Sequence, residues 1–151
     1  MVKRLSLILC LVLLNSIQFY AQSVFYQLVE SEKISSSVVK LSLKVYGKNK
    51  KTIDADAQYA AIRVALFDGC PNTMYNKPLL DDGETTSFEQ YPSYFDGLYN
   101  YRLSDFIASC IAVSKFKGAD KKKGTLYEIQ VKVLQLKKDL EKNGIKNKIG
   151  I

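Results

Sequence analysis

Ser37-Val-Val-Lys-Leu-Ser-Leu-Lys-Val-Tyr-Gly47 alternates apolar and polar residues over most of its length. Successive side chains of a strand point to opposite faces, so Ser37, Val39, Leu41, Leu43 and Val45 share one side and Lys40, Ser42 and Lys44 the other. The pattern predicts a half-buried strand that Gly47 ends before Lys48, Lys50 and Lys51. Tyr127, Ile129, Val131 and Val133 repeat it against Glu128, Gln130 and Lys132. Two strands of this kind need an apolar cover over one face only, and the sequence between them supplies helices.

Thr52 or Asp54 can cap the first helix, because a short side-chain oxygen accepts from the unpaired amides of a first turn. Ala55, Tyr59, Ile62 and Leu66 recur at helical spacing, and Gly69 and Pro71 stop the run. The small residues Ala57, Ala60, Ala61 and Ala65 let this helix approach a sheet closely. Cys70 to Glu89 reads as a long connection with turn residues Pro71, Asn72, Pro78 and Asp81-Asp82-Gly83. A second helix over Gln90 to Tyr99 has Pro92 in its first turn and Tyr91, Phe95 and Leu98 on one side, with a separate turn over Tyr101 to Phe106.

Ile107 to Phe116 is a less regular strand, joined to the last one by the glycine-bounded connection Gly118-Ala-Asp-Lys-Lys-Lys-Gly124. Leu136 to Lys142 predicts a short charged helix ended by Asn143-Gly144, and Ile145 to Ile151 a final edge strand. Residues 22 to 35 read as a short edge segment or ordered arm. The order β-α-α-β-β-α predicts an α+β two-layer sandwich, with helices on one face of a mainly antiparallel sheet.

Upstream, Lys3 and Arg4 lead into the apolar run Leu5-Ser-Leu-Ile-Leu-Cys-Leu-Val-Leu-Leu14, followed by a polar segment ending at Ala21. The run is far shorter than the roughly 20 residues of a spanning helix, so 1–21 reads as a secretory signal peptide cleaved after Ala21. An uncleaved N-terminal anchor is the rival reading. A lipidated Cys10 is disfavoured by Leu9, where such processing needs a small residue. The expected address is the periplasm or the exterior, with residues 22–151 forming one domain.

The whole chain of 151 residues carries a net charge of +7, unevenly spread. Residues 115–151 hold eleven lysines against Asp120, Glu128, Asp139 and Glu141. In a cytoplasmic protein such a tail would suggest nucleic acid, but secretion argues against that class, and no nucleic-acid partner is expected; the compartment offers anionic lipid, phosphorylated glycolipid or an acidic protein surface. Antiparallel pairing of the first strand with the last places Gly47 beside the start of that strand, bringing Lys48, Lys50 and Lys51 near Lys121, Lys122 and Lys123. Lysine is a flexible point charge, so this rim suits a diffuse anionic surface better than a single carboxylate. A merely solubilising face is the plain alternative.

Histidine is absent. That excludes Ser-His and Cys-His catalysis and histidine-containing metal sites, and no phosphate-binding glycine loop is present. No catalytic residue and no cofactor is expected. Asp81, Asp82 and Glu84 are clustered but lack the spacing of a known calcium loop. Cys70 and Cys110 have two readings: a disulfide closing a loop of about 40 residues, contributing on the order of 3–4 kcal/mol, or two buried thiols. Tyr91, Tyr94 and Tyr99 are candidates for stacking on a sugar or other small ligand, together with the 70–89 connection.

Over Asp56-Ala-Gln-Tyr-Ala-Ala-Ile-Arg-Val-Ala-Leu-Phe-Asp-Gly-Cys-Pro71, Pro78-Leu79 and Leu140-Glu-Lys-Asn-Gly-Ile145, with a leader ending Ala21-Gln22, the chain resembles small secreted proteins of unknown function common in Bacteroidetes. In helix-on-sheet order it is also similar to small envelope domains associated with outer-membrane assemblies. The resemblance implies an uncharacterised cell-envelope protein and carries across no functional residue. The expectation is a non-catalytic module that binds an envelope protein or an anionic envelope component, with peripheral membrane contact open to it; the alternative is a small-ligand or glycan binder.

Overall fold

The computed structural model describes residues 24–47 and 51–145. Its strands are β1 (Phe25–Lys33), β2 (Val39–Tyr46), β3 (Ile107–Lys117) and β4 (Lys123–Val131). Its helices are α1 (Ile53–Arg63), α2 (Glu84–Gln90), α3 (Pro92–Gly97) and α4 (Val133–Lys142). The strands form one antiparallel sheet in the order β1-β2-β4-β3, and the helices cover one face. This is the α+β two-layer architecture that the alternation predicts.

The inward residues Val39, Leu41, Leu43, Val45, Ile129 and Val131 are fully buried. Lys40, Ser42, Lys44, Glu128 and Gln130 on the other face are only half-buried. Each buried aliphatic side chain contributes about 1.5–3 kcal/mol relative to exposure, so the one-sided pattern fixes which face the helices take. α1 lies against β2, β3 and β4. Its contact stripe is Ala57, Ala60 and Ala61, continued by Val64 just beyond it, all fully buried; of the spaced set, Ile62 and Leu66 are fully buried, Tyr59 is half-buried and Ala55 is exposed.

After Arg63 the helix widens into a π-type turn over Val64–Asp68 and ends at Gly69. Gly69 has φ of 81°, and a Cβ there would lie 2.6 Å from the Asn76 carbonyl oxygen, so only glycine fits this stop.

The structure corrects several local expectations. Of the two readings of 22–35, the edge segment is the one found, as a full strand over residues 25–33 and not an arm. A bulge between Leu28 and Glu30 extrudes Val29. Tyr26 and Leu28 pair with the inward residues Val45 and Leu43, and beyond the bulge it is Ser31 that pairs with Leu41; the alternation changes phase mid-strand. β3 is irregular for the same reason, with register shifts between Ile107 and Ser109 and between Ala112 and Ser114. The 70–89 connection contains α2. Val133 opens α4 instead of closing β4. Of the expected strand Ile145 to Ile151, Ile145 is buried and the rest lies outside the described residues.

Candidate functional site

The β2–β4 register sets Val45 opposite Thr125 and Tyr46 opposite Gly124, and the Gly47 amide donates to the Lys123 carbonyl at 3.3 Å. The end of β2 and the β3–β4 turn therefore meet at one end of the sheet, as the rim reading requires. Lys51, Lys121, Lys122 and Lys123 are exposed there; Lys48 and Lys50 lie outside the described residues. In the turn, Lys121 takes a positive φ of 63°. Lys122 Nζ pairs with Asp120 Oδ2 at 2.9 Å.

Pairing in the sheet adds cations that the rim reading omits. Lys115 and Lys117, opposite Thr125 and Lys123, are exposed at this end, and Lys44 extends from the open face.

Lys44 and Lys122 flank an aromatic row on the open face, while Lys115, Lys117 and Lys123 share the phase of the inward Val45. Phe25, Tyr46, Gly124 and Phe116 are register partners across all four strands. The Tyr46 and Phe116 rings meet edge to face at 5.1 Å. Phe116 lies so close over the sheet that a Cβ on Gly124 would sit 2.5 Å from its Cζ. Lys44 Nζ stands 5.6 Å from the Phe116 centroid and Lys122 Nζ 5.8 Å from that of Phe25, each cation–π contact at an exposed site contributing about 0.5–1 kcal/mol. Phe25 remains 68% exposed. The row is not legible in the sequence because residues 22–35 show no strand register and because the bulges of β3 obscure the face on which Phe116 sits.

The tyrosines do not form a platform. Tyr99 is packed into a cluster with Tyr59 at 4.5 Å, Phe88 at 5.6 Å and Phe95 at 6.3 Å, and its hydroxyl is buried without a partner. Tyr94 donates to Asp139 Oδ2 at 2.8 Å and lies under the Arg102 guanidinium. Tyr91 is half-buried at the junction of α2 and α3. These rings dock the helices on one another, which corrects the stacking expectation. Part of the 70–89 connection does line an open cleft of about 900 Å³ against α4, with Tyr75, Pro78 and Leu79 facing Leu140 and Ile145; none of the three tyrosines borders it.

Glu84, weighed above as a calcium ligand, instead accepts from Arg63 Nε at 2.8 Å and Nη2 at 2.6 Å. Among the described residues no group of three or more Cys, Asp or Glu is placed to hold a metal ion.

Cys70 and Cys110 are free thiols, correcting the disulfide reading in favour of its alternative. Pro71, next to Cys70, accepts the Ser31 hydroxyl of β1, whereas Cys110 lies on β3 at the opposite edge. Three strand spacings, about 14 Å, separate those edges, twice what a disulfide spans. Burial, then the nearby Asp68 charge, pushes the Cys70 thiol up to about 12; burial and Asp54 push Cys110 up to about 11. Neither is a thiolate nucleophile at neutral pH.

Comparison of the chain with protein families, with curated proteins and with solved structures finds no match. Any functional reading rests on the residues themselves.

Proposed function

We propose that this protein is a non-catalytic binding module of the cell envelope, exported by its leader and acting in the periplasm or outside the cell, whose lysine-rich sheet end docks on an anionic envelope component. The observation that carries the reading is the convergence at one end of Lys44, Lys51, Lys115, Lys117, Lys121, Lys122 and Lys123, drawn from β2, the segment after it, β3, the β3–β4 turn and the start of β4. Asp120 pairs with Lys122 at 2.9 Å. Like charges gathered on several elements repel and cost stability, which an anionic partner would relieve. A small-ligand reading retains the cleft beside α4 but loses its tyrosines.

The test is cross-linked capture of the protein from its own envelope at low and high salt, beside a Lys121→Ala/Lys122→Ala/Lys123→Ala variant. Exposed charges beyond about 10 Å are screened at 0.1 M salt, so recovery of a specific component should fall steeply with salt and with the variant. Equal recovery from both proteins, indifferent to salt, would reject the reading.

A further inference from the structure

The composition of the same end narrows the partner. We infer that it seats on an anionic phospholipid surface, with the Phe25 ring entering the boundary between headgroups and acyl chains; this rests on the docking reading above. Phe25 carries no polar atom, is 68% exposed and opens β1 at the sheet corner. The side chains of the row beside Phe25 are Tyr46 and Phe116, so the row is aromatic in all its side chains.

Two cations stand at these rings from different elements and do not converge on one point. Lys122 lies over Phe25 and Lys44 over Phe116, and Lys121 is exposed in the adjoining turn; Lys115, Lys117 and Lys123, in phase with Thr125 and Val45, are exposed at the same end on the other side of the sheet. An apolar tip at a sheet end that carries flexible ammonium groups on both sides matches a surface whose charge is spread in a plane and whose apolar layer begins just beneath it. Lysine stems extend along such a boundary while their heads remain in water.

The chain contains no tryptophan, so Phe25→Trp introduces a single reporter at the tip. The protein as the cell processes it is mixed with vesicles of phosphatidylglycerol and phosphatidylethanolamine, or of phosphatidylcholine alone. The expected result is a blue shift of the Phe25→Trp emission and quenching by brominated acyl chains with the anionic vesicles only. A Tyr101→Trp protein, substituted at a site 80% exposed on the helical layer, should show neither. Each lysine near an anionic surface contributes about fivefold in affinity, so the triple lysine variant should bind on the order of a hundredfold more weakly, and Phe25→Ala about tenfold more weakly. Vesicle binding with an unshifted emission and an unaffected Phe25→Ala protein would overturn the insertion. No vesicle binding alongside successful capture of an envelope protein would overturn the lipid partner and leave the docking reading standing; failure of both would remove both.

Discussion

The Tyr127 hydroxyl donates to the Asp54 carboxylate, tying the inward face of β4 to the first turn of α1. Tyr127 is 2% exposed, and its ring reaches through the layer between sheet and helix to place its hydroxyl at the helix start. A carboxylate there also complements the partial positive charge of the unpaired amides. Desolvation of Tyr127 and its bond to Asp54 hold the phenol above its ordinary range.

Tyr127→Phe keeps the ring and removes that bond. The expected cost is about 1–2 kcal/mol, read as a lowered urea midpoint with an unchanged slope. Asp54→Asn, which keeps an acceptor but removes the charge, should cost less. An unchanged midpoint for Tyr127→Phe would mean that the helix start is held by apolar burial alone.

Two tyrosines of the helical layer should respond with opposite signs. The Tyr99 hydroxyl is buried with no partner, whereas that of Tyr94 is bonded to an Asp139 that Arg102 also holds at 3.0 Å. Removing an unsatisfied buried hydroxyl relieves a desolvation cost, while removing a bonded one leaves its partner short. Tyr99→Phe should be neutral or stabilising by up to about 1 kcal/mol and Tyr94→Phe destabilising by about 1 kcal/mol. Thermal melts of both decide the matter; a destabilised Tyr99→Phe protein would reveal a bridging water or ligand at that hydroxyl.

Legibility in the sequence followed the regularity of each strand. β2 and β4 are paired with each other along their length without a register shift, so period two survives and the sheet, its buried face and the meeting of Gly47 with the β3–β4 turn can all be read. β1 and β3 are bulged edge strands, in which one extra residue moves every later side chain to the other face. With Phe25 on β1 and Phe116, Lys115 and Lys117 on β3, the aromatic row and the β3 lysines were hidden in those irregular strands, while the lysines of the β3–β4 turn were not. Tyr91, Tyr94 and Tyr99 misled for another reason, because spacing along a chain gives which rings are near one another and not whether α1 and α4 cover them.

Gly124 and Gly97 make a contrasting pair. A Cβ on Gly124 would approach Phe116 Cζ to 2.5 Å and the Val45 carbonyl oxygen to 2.6 Å, and the carbonyl belongs to a ladder that cannot give way. Gly124→Ala should therefore cost about 1–3 kcal/mol and displace Phe116. At Gly97, helical with φ of −62°, an added Cβ meets nothing within 4 Å. Gly97→Ala should stabilise by about 0.4–1 kcal/mol, mainly by restricting the unfolded chain. Urea titrations of the two variants check both signs, and equal responses would contradict the close seating of Phe116.

Alkaline pH should unfold the protein from within. Burial, then the Asp68 charge, raises Cys70 from 9.0 to about 12; burial and Asp54 raise Cys110 from 9.0 to about 11; burial and the nearby Glu84 carboxylate raise Tyr59 from 10.0 to about 12. Each group is neutral when protonated, so a folded value above the unfolded one means that the folded state holds the proton more tightly. Their contribution is complete below pH 9, the lowest of the unfolded values, and is lost as pH climbs through the folded values toward 12. The urea midpoint should be level up to about pH 9 and then fall continuously. In the native state below that point, Cys70 should resist a thiol reagent until the chain is unfolded. A fall in stability starting near neutrality, or a Cys70 that reacts at once in the native protein, would show that these groups are not enclosed.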